Sequence, residues 1–458
     1  MCNKNSSPIL TEVIFSENSA HQGGGISNDK GHLTLTKVIF SDNLTSGELF
    51  VYGGGMYSAG VGSAATLTEV SFNNNSTSGT NAKGGGMYYK DGSITLTNVT
   101  FSGNSVIGEN VAGGGMCHES ESGSMTLTNV TFSGNLANGQ LVIEGGGLYV
   151  GSENAALTNV TVSGNLAGAK SGNGGGVYVG SDSVTLINTI LWGNKPDQIS
   201  GKGKADISYS IVEGKEVYPG DGNLNENPLL LPLADNGGYT LTHALERGSP
   251  AIDAGSPDIC PLTDQRGVSR PIDGNGDGDQ VCDIGAYEYD PPPFRNLTVT
   301  INPPGMGNVS IEPDLQSYHD GDELLLTVIA KPDWVFSHWS GDVDDGNKYD
   351  NPLKLTIEGN TEVTAHFTQE KYNLTLIIDP VNEAGTVQVD KSGPYLFNEK
   401  VTLTAVAKPG WSFSHWNDDS GSTNEVLEIT ITGDTTVTAH FKEAEDEGFK
   451  IFLPLILG

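Results

Sequence analysis

The side chains best able to do chemistry cluster in the stretch from Asp253 to Asp290. Asp273, Asn275 and Asp277 put oxygen donors at positions one, three and five of a loop, and Gly278 supplies a turn at position six. That is the first half of a calcium loop, in which hard oxygen ligands surround a hard cation. Asp279 adds a further carboxylate. The twelfth position, where a closing carboxylate belongs, is Ile284, and Asp283 misses it by one. A plain Gly/Asp turn is the preferred reading, with Ca2+ held by Asp273, Asn275, Asp277 and Asp279 as the cofactor alternative. Cys260 and Cys282 bracket the loop and are expected to form a disulfide, which implies an oxidising compartment.

Further along, Trp334, Trp339, Trp411 and Trp416 stand beside His338 and His415. Such residues can form a carbohydrate platform or a metal site, but small β modules need large aromatics for their cores, and packing is the preferred reading. Glycoside hydrolysis would need two carboxylates facing one groove, and lyase chemistry a base with cationic stabilisation. The first 246 residues contain no Arg. Their acidic residues, among them Glu12, Asp42, Glu69, Asp91, Glu119, Glu121 and Glu144, fall at variable places. His21, His32 and His118 share no column, and no catalytic residue is assigned.

The elements that carry these residues are repeats. Gly-Gly-Gly begins at Gly23, Gly53, Gly84, Gly113, Gly145 and Gly174, at intervals of 29 to 32 residues. Between triplets runs L-T-x-V-x-F-x-x-N, as in LTEVIFSEN and LTNVTFSGN. The alternation of β-branched or aromatic with small polar residues is that of a strand buried on one face. A unit of about 30 residues with short strands cannot bury that face alone, so it must stack on copies of itself. Val13, Val38, Val70, Val99, Val130 and Val160 are expected to form one internal ladder. Phe15, Phe40, Phe72, Phe101 and Phe132 are expected to form another, with Val162 and Leu191 at its end. Asn18, Asn43, Asn75, Asn104, Asn135, Asn165 and Asn194 mark a corner where left-handed backbone and an amide ladder are expected. The Gly triplet marks a second corner. Cys117 takes the place of the aromatic that follows other triplets, such as Tyr57, Tyr88, Tyr149 and Tyr178, and reads as a packed thiol. The irregular stretches before the triplets, such as TSGELFVY and SVIGENVA, read as variable binding loops.

The fold class is therefore all-β: a right-handed parallel β-helix over 1–215, a capping segment over 216–290, and two small β-rich modules at 296–368 and 373–442. An acidic hinge and short apolar tail follow at 443–458. The alternation of FSEN, FSDN or FSGN with GGGI, GGGM, GGGL or GGGV resembles the repeat of chlamydial polymorphic outer membrane proteins. GGYTLTHAL, SPAIDAG, DQRG-x-x-RP and DIGAYE, in that order, resemble the choice-of-anchor Q domain that follows β-helices in bacterial surface proteins. Arg247, Arg266 and Arg270 lie there among Asp253, Asp264, Asp273 and Asp283, so Arg–carboxylate pairs closing the solenoid's end are expected. NLTVTINP and NLTLIIDP, VIAKPDWVFSHWSGD and AVAKPGWSFSHWNDD, and TEVTAHF and TTVTAHF pair off along the two modules. They resemble the divergent internalin-type B repeat, whose resemblance implies spacer or adhesive units.

A formal net charge of −33 excludes nucleic acid as a natural partner. No run reaches the roughly 18 apolar residues of a membrane span, and FKIFLPLILG at the end is too short to cross. That tail resembles those of some exported bacterial proteins and reads as a sorting or anchoring signal. The chain is inside a repeat by Leu10 without a signal peptide, so a truncated N-terminus is expected. The combined expectation is an extracellular or cell-surface, non-catalytic adhesin or display protein whose partners are surface glycans or envelope components. The alternative is a polysaccharide-binding or polysaccharide-degrading protein with a groove on the β-helix.

Overall fold

The computed structural model describes residues 1–445 apart from 121–122, 152–153, 169–171, 181–182, 316–317, 381–382 and 418–420. The apolar tail, and the acidic hinge from residue 446 on, lie outside the described residues. Two compact units form, Met1–Pro291 and Pro292–Gly458, and no helix occurs among the described residues.

In the first unit equivalent residues of successive repeats sit side by side in parallel register. Met56 pairs with Met87, Met87 with Met116, Met116 with Leu148 and Leu148 with Val177. Val99, Val130 and Val160 line up in the same way, as do Phe101, Phe132, Val162 and Leu191. This is a parallel β-helix. The phenyl rings stack face to face, with centroids 5.2 Å apart for Phe15–Phe40 and 4.6 Å for Phe72–Phe101. Val38, Val70, Val99, Val130 and Val160 are fully buried beside them.

At the Asn corner each amide bridges two coils. Asn104 Nδ2 donates to Asn135 Oδ1 at 3.0 Å and to the Phe72 carbonyl at 2.8 Å, while its Oδ1 accepts from the Asn75 backbone N–H at 2.9 Å. The ladder continues from Asn18 to Asn194, where Gln198 Oε1 takes the last amide. The left-handed residue at this corner is the one before each Asn: Glu17, Asp42 and Asn74, then Gly103, Gly134, Gly164 and Gly193. The expected left-handed Asn is thus corrected by one position. The amide must point inward to reach both neighbouring coils, and the preceding residue makes the bend. At the second corner the first Gly of every triplet has positive φ, from 62° to 75°. The second admits no side chain: a Cβ on Gly85 would lie 2.2 Å from the Gly114 carbonyl oxygen.

The stretches read as irregular loops are ordered. Leu44–Ser46, Ser76–Ser78, Ser105–Ile107 and Leu136–Asn138 join a six-stranded sheet. Phe50–Tyr52, Asn81–Lys83, Asn110–Ala112 and Val142–Glu144 join a five-stranded one. Ala82, Val106, Val111, Ala137, Ile143 and Ala167 form a small core between them. Alternate small apolar residues hidden among polar ones provide that core.

The segment after the repeats first completes the last coil. Leu224 bridges Ile211, Asn223 Oδ1 accepts from the Ser210 N–H, and Tyr218 packs on the solenoid core. The remainder then runs back along the solenoid's flank. Ser256 N–H donates to Asn188 Oδ1, Ala286 N–H to Thr161 Oγ1, and Gln265 spans Thr131 and Thr100. Tyr239 reaches the Lys37 carbonyl. The Arg–carboxylate cluster expected to close the end therefore covers a side wall, because outward-facing Thr and Asn columns offer a continuous row of polar partners there.

The second unit holds two copies of one design. Leu297–Asn302 pairs parallel with Thr361–Gln369, which pairs antiparallel with Trp334–Gly341. Gly307–Glu312, Glu323–Ala330 and Leu353–Thr356 form an antiparallel partner sheet. The second copy repeats this with Leu374–Asp379, Thr435–Glu443 and Trp411–Asn417, and with Gly385–Val389, Lys400–Ala407 and Val426–Thr430. Trp339 and Trp416 fill the two cores, each donating its indole N–H to a carbonyl, Asp350 and Asn424 respectively.

Asn104→Ala strips the corner of its coil-to-coil amide and leaves buried donors and acceptors unpaired, each costing about 1–3 kcal/mol. Chemical denaturation should show a loss of about 3 kcal/mol or more for Asn104→Ala, and less than about 1 kcal/mol for the exposed end-of-ladder Asn18→Ala.

Candidate functional site

The Gly-triplet corner turns two outward-facing columns toward each other. Tyr52, Lys83, Ala112 and Glu144 share one column just before the triplets. Tyr57, Tyr88, Cys117, Tyr149 and Tyr178 share the other just after them. The rings stack across and along the corner: Tyr52–Tyr88 centroids are 4.5 Å apart, Tyr57–Tyr88 5.8 Å and Tyr149–Tyr178 5.5 Å. Cys117 interrupts the tyrosines and is fully buried, as expected for a packed thiol. Over it lies a polar lid. Glu119 accepts from Tyr88 OH at 2.7 Å and pairs with Lys83 Nζ. Burial, then the Glu119 charge, push the Tyr88 phenol and the Cys117 thiol well up, so both stay protonated. Tyr178 is raised to about 12 by burial and by its hydrogen bond to Glu144.

This arrangement could not be seen by scanning for paired acidic residues. Glu119 and Glu144 come from different coils, 25 residues apart in sequence, and reach the same surroundings only because the coils stack. Both carboxylates act electrostatically on Cys117 and Tyr149. The signal in the sequence was the tyrosine after four of the six triplets, set against the residue before them.

On the inner side of the same corner, His118 is buried and tilts against Tyr89 with ring centroids 5.6 Å apart. Its Nε2 lies 3.3 Å from the Gly92 carbonyl, and Nδ1 has no partner. Burial lowers its pKa to about 4, so it is neutral at pH 7.

On the flank, Arg270 and Glu288 form a fully buried ion pair, Nε to Oε2 3.3 Å, too poorly aligned for a hydrogen bond. The guanidinium instead donates to the carbonyls of Asp283 and Gly285. Glu288 accepts from Ile272 and Asp283 N–H groups, and Asp264 accepts from Arg266 Nε at 2.7 Å. Arg266 also lies over the Tyr287 ring at 3.6 Å. Burial pushes the Asp283 and Glu288 carboxyls up, and Arg270 opposes the shift of both. Arg247 is exposed. Glu288, its central acid, was not singled out by sequence.

The candidate calcium residues sit on an exposed turn beside this cluster. Asp273 accepts from the N–H groups of Gly276 and Gly278, Asn275 from Asp277, and Asp277 from Asp279. Ile284, at the twelfth position, is in the core, and both oxygens of buried Asp283 are taken by Asp253 and Tyr289 N–H groups. Both Asp273 oxygens are thus engaged within the turn, and Asp253, which accepts from Gly274 and Asn275, is the neighbouring carboxylate where a closing ligand would be needed. Among the described residues no three His, Cys, Asp or Glu side chains form a metal-holding group. Cys260 and Cys282 are joined in a disulfide, with Cα atoms 5.9 Å apart.

In the second unit the four Trp residues belong to or pack against the module cores.

Residues 297–371 and 376–445 match the model of the divergent InlB B-repeat domain. Residues 12–29 match the Chlamydia polymorphic membrane protein repeat. No curated protein and no solved structure matches the chain. Repeats of both kinds are typical of bacterial surface proteins, and with the β-solenoid they fit a surface protein. No helix among the described residues is long and apolar enough to cross a membrane.

His118 makes stability depend on pH. Its folded pKa lies below the ordinary value, so the unfolded chain binds the extra proton and stability is lost as pH falls from about 6.5 toward 4. His118→Gln should flatten the pH dependence of the first unit's unfolding in that window by on the order of 3 kcal/mol, read by denaturation at pH 7 and pH 4.5.

Proposed function

We propose that this chain is an extracytoplasmic display protein or adhesin without catalytic activity, and that the Gly-triplet corner is its ligand-facing surface. The observation that carries this reading is that the chemistry-bearing groups at the corner are already satisfied by one another. Glu119 is committed to Lys83 and Tyr88, the tyrosines stack on each other, and Cys117 is sealed beneath them. Such a surface presents a repeated relief of aromatic edges and polar rims, suited to binding an extended surface polymer. The opposite demand, a free acid and a free base facing one bond, is not met by Glu119. The disulfide and the net charge of −33 support an address outside the cytoplasm. The motifs shared with the choice-of-anchor Q domain support a role for 216–290 in presenting the solenoid, and the two B repeats support a spacer or adhesive role for 297–445.

One observation favours a second reading, glycan processing. Glu119 and Glu144 flank one aromatic stripe on a β-helix, which is where a polysaccharide would have to lie. Incubating the full chain with a panel of surface polysaccharides separates the two. Display predicts retention of the chain on a polymer with no released reducing ends or unsaturated products, and about fivefold weaker retention for Tyr57→Ala. Product formation that disappears in Glu119→Gln or Glu144→Gln would overturn display and establish the enzyme.

Calcium enters this proposal as a weak structural ligand of the turn at Asp273. With its closing position occupied by a core Ile, calorimetric titration should give a dissociation constant no tighter than about 10⁻⁴ M, the range of extracellular modules. The heat should be lost in Asp273→Asn. A micromolar isotherm would mean that the turn rearranges to recruit a further carboxylate.

A further inference from the structure

The two B-repeat modules carry the same row of side chains on one sheet, with one difference. In the first module the row is Asn302, His366, His338, and in the second it is Asp379, His440, His415. Each row exists because a bulge shifts the register just before the outer His, between Phe336 and His338 and between Phe413 and His415. A bulge re-aims the residue that follows it. Here it lays the two imidazoles face to face, with centroids 4.5 Å apart in both modules.

The neighbours of the central His decide what its ring nitrogens can do. In the first module Asn302 Nδ2 donates to His366 Nδ1, which must be unprotonated to accept. Its proton is then on Nε2, which is 2.7 Å from Ser340 Oγ and donates to it. No lone pair is left for another ligand. In the second module Asp379 Oδ2 accepts from His440 Nδ1–H at 2.8 Å. That bond leaves Nε2 as the unprotonated nitrogen, and no described residue occupies it. His415 Nδ1 is 3.1 Å from Ser414 Oγ, and its Nε2 is likewise without a described partner.

A carboxylate on Nδ1 of a His is the usual outer support of an imidazole–metal bond: it fixes tautomer and orientation and makes Nε2 more basic. We propose that His440 and His415 of the second module chelate one divalent cation of the Zn2+, Ni2+ and Cu2+ class through Nε2, with Asp379 as the positioning residue, and that the first module does not. Imidazole nitrogen suits these ions. Two Nε2 atoms about 3.3 Å apart with convergent lone pairs suit tetrahedral zinc with bonds of about 2.0–2.1 Å, so one ring must swing out of the stack, whose planes differ by only 10°. His415 is exposed and is the ring that swings, while Asp379 holds the half-buried His440 in place. No third His, Cys, Asp or Glu converges there among the described residues.

Calorimetric titration of Zn2+ into the full chain tests this. His440→Ala and His415→Ala should each remove the same one-equivalent isotherm. Asp379→Asn, which gives the second module the amide of the first, should weaken it about 10–100-fold. His366→Ala and His338→Ala should leave it unchanged. The pair Asn302→Asp with Ser340→Ala should add a second equivalent. These positions lie on one three-stranded sheet in each module, and far-UV circular dichroism checks that each variant is folded. The proposal is overturned if the parent binds no zinc, if the isotherm survives loss of His415 or His440, or if Asp379→Asn binds as tightly as the parent.

Discussion

A buried amide must be paired, and the Asn ladder makes every coil of the solenoid responsible for pairing its neighbours. Asn104 draws on Asn135 ahead and Phe72 behind while serving Asn75. No single repeat can satisfy its own corner. The stacked phenyl rings and the Gly-triplet carbonyls obey the same constraint, because each finds its partner only one coil away. Stability of the first unit is therefore a property of interfaces between repeats, and the outer surface inherits their regular spacing. The corner columns of tyrosines and carboxylates are consequences of that spacing.

The flank segment solves a related problem. A column of outward-facing Asn and Thr can be hydrated or covered, and residues 239–286 cover it with groups of matching spacing. The cost is the burial of Arg270, Asp283 and Glu288 away from water. Removing one member of such a cluster leaves an uncompensated charge, so the cluster is held together as a unit. Gln265 ties it to the wall, with its amide shared among Thr100, Thr131 and Thr240. The phrases DQRG and DIGAYE are the sequence trace of this cluster.

In the second unit, two related sequences arrive at different surface chemistry. Trp339 and Trp416 play the same role in two cores, and the His pairs stack alike. Asn302 against Asp379 reverses the tautomer of the central imidazole, although it changes only one group on an exposed strand. Repetition conserves the packing, where volume is constrained from all sides, and leaves the outer row free to differ.

Much of the architecture was legible in the residues. The period of the Gly triplets, the alternation in LTNVTF and the spacing of Asn18 to Asn194 determine a stacked β unit, because hydrophobic periodicity and corner chemistry are local properties of a chain. The aromatic content and duplication of 297–445 determine two small β modules for the same reason. Tertiary structure alone decided that 216–290 doubles back along the wall, since the partners of Gln265 and Asn188 lie far off in sequence and are chosen by distance. It also decided which carboxylates share a surface, joining Glu119 to Lys83 and bringing Glu144 near the same tyrosines. The half-motif at Asp273 shows the limit most plainly. Its turn could be read from composition, but its twelfth position was settled by the core's need for Ile284. Local signals name the turn, and only packing determines which side chain can close it.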